Sequence, residues 1–142
     1  MSHTTVAAGS GFVETSSPTR QGYQMHHAGF TALPIIAGAD KFLHLLANWD
    51  QYLAPVIANL LPFSAHTFML VVGIIEIVAG IGVWLKPRIF SYVVAGWLLG
   101  IILNLLLTGQ YFDVALRDFG LALGALALGR FAQTWDSAKN AR

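Results

Sequence analysis

Seven polar side chains interrupt stretches that are otherwise apolar over membrane length. Asp40 and Lys41 are adjacent. Glu76 lies inside MLVVGIIEIVAGIGVWL, Asn104 inside WLLGIILNLLLTG, and Asp113, Arg117 and Asp118 punctuate YFDVALRDFGLALGALAL. A charge at the centre of a bilayer costs about 2.5 to 3.5 kcal/mol on insertion scales, so such groups find one another, find water, or serve a function. Two chemistries fit this set. One is a buried ion-pair network that fixes helix order and register. The other is a polar pocket that opens to the outer leaflet and takes a quinone-like headgroup, a lipid or a proton. Glu76 is the candidate proton-handling carboxyl, because desolvation near the midplane favours its neutral form unless Lys41 or Arg117 reaches it.

The elements that must position these groups are helices. Crossing about 30 Å of hydrocarbon takes roughly 20 helical residues. Four stretches come near that length: Gly29 to Ala47, His66 to Leu85, Phe90 to Gly109 and Tyr111 to Ala132. The first is diluted by Pro34, Asp40, Lys41 and His44. Between the first and second, Trp49, Tyr52, Leu53, Val56, Ile57, Leu60 and Leu61 recur at roughly helical spacing, which predicts a short interfacial amphipathic helix. The fold class read from this pattern is all-α, an integral membrane four-helix bundle. Its expected parts are a polar tail over 1–25, disordered or docked on a partner, a transmembrane domain over 26–134, and a short tail over 135–142.

Loop charge sets the orientation. Arg20, Lys86, Arg88, Arg130, Lys139 and Arg142 fall on one side of the four spans, and no Lys or Arg lies in the loops of the other. Both termini are therefore expected on the cytoplasmic side of an inner membrane. By the rise per helical residue, Lys41 and Arg117 then lie about 9 Å, Asn104 about 8 Å and Glu76 about 15 Å below the outer end of their spans. Asp113 and Arg117 are four apart and share a face, as do Asp40 and His44, so the acids can neutralise the bases.

Composition agrees with the class and removes others. Of the 142 residues 56% are hydrophobic and 11% charged, and the mean hydropathy is +0.62, above the soluble norm. There is no cysteine, which excludes disulfides, iron–sulfur clusters and thiolate chemistry. A net charge of +1 without a basic stripe argues against nucleic-acid binding. The N-terminal stretch lacks the basic start and apolar core of a secretory signal. His44 and His66 both fall near the outer boundary, yet neither has a second histidine at matching spacing on its helix, which argues against haem or a metal. Gly96/Gly100 and Gly120/Gly124 have the spacing that lets membrane helices approach closely.

The Gly38 to Lys41 segment, a carboxylate followed by Gly80 and Gly82, and the Asp-x-x-x-Arg-Asp-x-Gly-Leu-Ala run from Asp113 to Ala122 together resemble the DoxX-type (DoxX/DoxD-like) small membrane proteins. The likeness covers roughly residues 30–131. It implies a four-helix membrane bundle and a role as a membrane component of oxidoreductase assemblies, as with the DoxD subunit of thiosulfate:quinone oxidoreductase. The leading expectation is a subunit, not catalytic alone, that anchors or stabilises a respiratory or redox complex. Its partners would be membrane lipids and other subunits or further copies, and it would have no intrinsic cofactor and a quinone or lipid at the polar cluster. The alternatives are a quinone-reactive subunit in which Glu76 moves protons, and a small oligomeric transporter.

Overall fold

The computed structural model describes residues 17–140, with side chains through Thr134. All regular structure among them is helical: α1 (Pro18–Leu43), a 3-10 turn (Trp49–Tyr52), the single turn α2 (Pro55–Ala58), α3 (Ala65–Leu85), α4 (Pro87–Thr108) and α5 (Phe112–Asn140). Local chemistry sets the ends. Ser17 Oγ accepts from the Arg20 amide at 3.0 Å with Pro18 in the first helical position, and Ser64 Oγ accepts from the Thr67 amide at 3.1 Å. The Lys86 amide closes α3 on the Gly82 carbonyl at 2.7 Å, and Pro87 opens α4 directly after it. Gly109, at φ 73°, takes the left-handed conformation that ends α4.

Three expectations are corrected here. The first helix is displaced toward the N-terminus, because it starts at Pro18 and ends at Leu43. Residues 18–25, read as part of a polar tail, are its first turns; Tyr23, His27 and Phe30 form a stripe at helical spacing that packs on the rest of the molecule. The earlier part of that tail, residues 1–16, lies outside the described residues. At the other end α5 runs on to Asn140, through most of the expected C-terminal tail. The predicted interfacial helix is instead two short pieces, because Pro55 pushes Ala54 to extended backbone (φ −63°, ψ 134°) and breaks the run. Residues 44–64 thus form a lid across one end of the four long helices.

The long helices pack chiefly as two pairs, α1 on α3 and α4 on α5, and the pairs meet through fewer contacts. Glycine sets the first pair. A Cβ on Gly38 would strike the Gly73 carbonyl, one on Gly73 would stand 2.7 Å from the Gly38 carbonyl, and one on Gly80 would stand 2.8 Å from that of Thr31. In the second pair Gly129 sits under the Tyr92 ring. The G-x-x-x-G glycines do not play this part: Gly96, Gly100 and Gly120 have nothing within 4 Å, and only Gly124 meets a neighbour, Phe30. The tight contacts come from glycines spaced to match the facing helix, which a single-helix motif does not reveal.

Two apolar clusters bracket the middle of the bundle. Tyr23, Phe30, Val83, Val94, Ala95, Ala125, Leu128 and Ala132 fill the end away from the lid. Leu53, Met69 and Val72, with Trp49, Ile57 and Trp97, pack beneath it. Among the described residues two helices, α3 and α4, are long and apolar enough to cross a membrane. The polar residues of α1 and α5 dilute those helices below the same measure.

Candidate functional site

Lys41 and Glu76 come together between α1 and α3. Lys41 Nζ lies 2.5 Å from Glu76 Oε1, and the two side chains are only 5% and 11% exposed. The helices are antiparallel, and the contacts Gly38 to Gly73 and Thr31 to Gly80 place Lys41 about six residues, roughly 9 Å, from the level of Glu76. Helical side chains lean toward their own N-terminus. In an antiparallel pair the Lys41 and Glu76 side chains therefore lean toward each other, and their combined reach closes the gap.

Trp49 covers the pair from the lid. Lys41 Nζ stands 3.9 Å from the centroid of its ring, a cation–π contact. The same indole donates from Nε1 to Asp40 Oδ2 at 2.7 Å. Asp40 is not a partner of Lys41 or of His44. Its carboxylate accepts from the backbone amides of Leu45, Leu46 and Ala47 at 2.8 to 3.3 Å. His44 leaves the Asp40 face because α1 ends at Leu43 and His44 turns into the left-handed region at φ 55°.

Asn104 holds the other side of the lid. Its Oδ1 accepts from the Ala54 amide at 2.9 Å and its Nδ2 donates to the Tyr52 carbonyl at 2.7 Å, so the side chain acts as a short piece of backbone partner. Tyr52 also meets Tyr111 edge-on, with ring centroids 4.7 Å apart, beside the α4–α5 turn.

On α5 the three charges separate. Asp118 is buried, whereas Asp113 and Arg117 are exposed. The expected pairing of Asp113 with Arg117 is not made: the Arg117 guanidinium reaches its neighbour Asp118 at 3.4 Å. Trp97, on α4, brings a buried indole N–H beside Glu76. Its place within a span marks it in the sequence, but its neighbour does not.

The histidines are used locally. His66 Nδ1 donates to Asp50 Oδ2 at 3.0 Å, and its ring stacks on that of His44 with centroids 5.4 Å apart. His27 Nε2 faces the carbonyls of Val83 and Trp84 at 3.0 and 3.1 Å; carbonyls only accept, so this nitrogen carries a proton and caps the end of α3. Among the described residues no group of three or more His, Cys, Asp or Glu side chains is arranged to hold a metal ion.

The arrangement divides the polar set by use. Lys41 and Glu76 neutralise each other, Asp40 and Asn104 satisfy lid backbone, and Asp118 takes Arg117. No family model, curated protein or solved structure matches the chain.

Proposed function

We propose that the chain is a small integral membrane protein of the DoxX-like kind, a four-helix bundle of the inner membrane with both termini cytoplasmic. It serves as a subunit, not catalytic by itself, that anchors or stabilises a respiratory or redox complex and meets lipid or quinone near its outer polar cluster. Membrane residence rests on burial. The apolar windows of α3 and α4 are only 33% and 22% buried, whereas the core helix of a water-soluble protein is mostly covered. Their outward faces carry Val71, Ile74, Val78, Leu99, Leu103 and Leu107, all exposed. In hydrocarbon these faces are at home. The basic residues Arg20, Lys86, Arg88 and Arg130 lie away from the lid, which supports a cytoplasmic position for that end.

The structural role rests on one observation: Lys41 and Glu76 pair with each other across α1 and α3, while Asp40 and Asn104 hold the lid backbone and Trp49. Association with redox partners rests on the resemblance in the Asp113 to Ala122 segment. The test is extraction of the tagged chain from its native membrane in mild detergent, with mass spectrometry of the proteins and quinones that accompany it. Stoichiometric redox subunits are expected. Recovery of the chain alone, as monomer or homo-oligomer, would defeat the subunit reading.

A second reading, a quinone-reactive subunit with Glu76 as proton carrier, draws on the buried Trp97 N–H that stands beside that carboxyl as a further polar group. It requires Glu76→Gln to abolish turnover while the complex still assembles. Unchanged turnover in an assembled complex removes it.

A further inference from the structure

The lid contains a contradiction if it lies in water. Leu45, Leu46 and Leu60 are 79%, 70% and 80% exposed, and Val56 and Phe63 are also open. Yet much of this irregular backbone is supplied with internal hydrogen bonds. Asp40 takes the amides of residues 45, 46 and 47, Asn104 takes the Ala54 amide and the Tyr52 carbonyl, and the amides of Gln51, Leu53, Ile57, Ala58, Asn59, Leu60 and Leu61 find carbonyls within the lid. From His44 to Ser64 there is no Lys, Arg or Glu, and the one acid, Asp50, is engaged by His66.

Those properties are what hydrocarbon demands of non-helical chain. Backbone polar groups tolerate the apolar phase only when they are satisfied internally, and apolar side chains favour it. We infer that the lid is sunk into the outer leaflet, with Leu45, Leu46 and Leu60 among the acyl chains, as a lipid-embedded cap over the Lys41–Glu76 pair. The partner is thus the bilayer itself. Asp40 and Asn104 are positioning residues in this account: charged and amide side chains on the helices that make a loop soluble in lipid. The lid continues the apolar surface of α3, where Val71, Ile74 and Ile75 are exposed. Trp49 and Tyr52 stand in the same segment, residue types that favour the membrane boundary.

The inference rests on the membrane reading above, and one experiment separates the two. Because the chain has no cysteine, single replacements Leu45→Cys, Leu46→Cys, Leu60→Cys, Gln51→Cys and Leu99→Cys each carry a unique nitroxide. The full-length protein is reconstituted in vesicles of phosphatidylethanolamine and phosphatidylglycerol, and collisions with oxygen and with a water-soluble nickel chelate are measured. Leu99, exposed in the middle of α4, is the reference for lipid, and Gln51 is one of the exposed polar positions within the lid. The expected result is high oxygen and low nickel access at Leu45, Leu46 and Leu60, as at Leu99, with greater nickel access at Gln51. High nickel access at the three leucines with lipid-like values at Leu99 overturns the lid inference alone. Low access to both probes at the leucines also overturns it, by showing that a second copy covers them. High nickel access at Leu99 overturns the membrane reading as well.

Discussion

Lys41 and Glu76 touch at 2.5 Å although they are about six residues out of register on antiparallel helices. Both side chains bridge the offset by leaning toward their own N-termini, and the Trp49 ring closes over the ammonium at 3.9 Å. The pair is therefore specific to one vertical setting of α1 against α3.

Breaking the pair leaves one buried charge without its counterpart. Lys41→Met or Glu76→Leu alone is expected to lower stability by about 3 to 5 kcal/mol, whereas the double variant recovers most of the loss, because two apolar groups of similar volume replace the ions. Thermal unfolding in detergent, followed by circular dichroism, checks the order. Equal losses in the double and the single variants would show that packing and not charge dominates.

Asp40→Ala strands three lid amides and the Trp49 indole N–H. An unsatisfied buried group costs about 1 to 3 kcal/mol. The measurable result is faster hydrogen exchange at Leu45, Leu46 and Ala47 with little change in the middle of α4. Asn in place of Asp40 keeps an acceptor and is expected to fall between. Exchange that stays slow in the Ala variant would mean that the loop holds its shape without the carboxylate.

The glycines divide into two classes with opposite outcomes. Gly38→Ala and Gly73→Ala push a methyl into facing backbone and are expected to destabilise by about 1 to 3 kcal/mol. Gly96→Ala and Gly100→Ala add a methyl to open helix surface and are expected to stabilise by up to about 1 kcal/mol. The melting temperatures of the four variants decide this; destabilisation by Gly100→Ala would point to a neighbour seated on α4.

Asn104→Leu keeps the volume of the side chain but drops both lid contacts. A loss of about 1 to 3 kcal/mol is expected, with increased exchange at the Ala54 amide. Because Asp40 still holds the other side, the change should stay local to residues 52–58, which separate exchange rates for the two halves of the lid would show.

How far these features can be read without coordinates depends on how local their causes are. The limits of α3 and α4 follow from apolar length and from Ser64, Pro87 and Gly109, all local, and the residues 66–85 expected of one helix lie within Ala65–Leu85. The start of α1 was hidden by a Ser- and Thr-rich context, although Ser17-Pro18 and the Tyr23, His27, Phe30 stripe carry the signal. Spacing on one helix identified the ionisable residues but not their partners. Asp113 and Arg117 share a helical face and still do not pair, because Asp118 is adjacent to Arg117 and buried. Asp40 faces a loop whose path only the folded chain defines. The choice of Glu76 for Lys41 depends on the register set by Gly38 and Gly73, a relation between two helices.

The two helix pairs also differ in how the chain must find them. α4 and α5 are joined by the short turn after Thr108, so their contact is made between neighbours in the chain. α1 must wait until the whole lid and then α3 have been made. If it docks one turn too high or too low, a shift of about 5.4 Å, Lys41 and Glu76 miss each other and both remain charged and alone. Buried opposite charges separated by a lid thus give assembly a proofreading step: a misregistered α1–α3 pair is penalised by two charges left without partners.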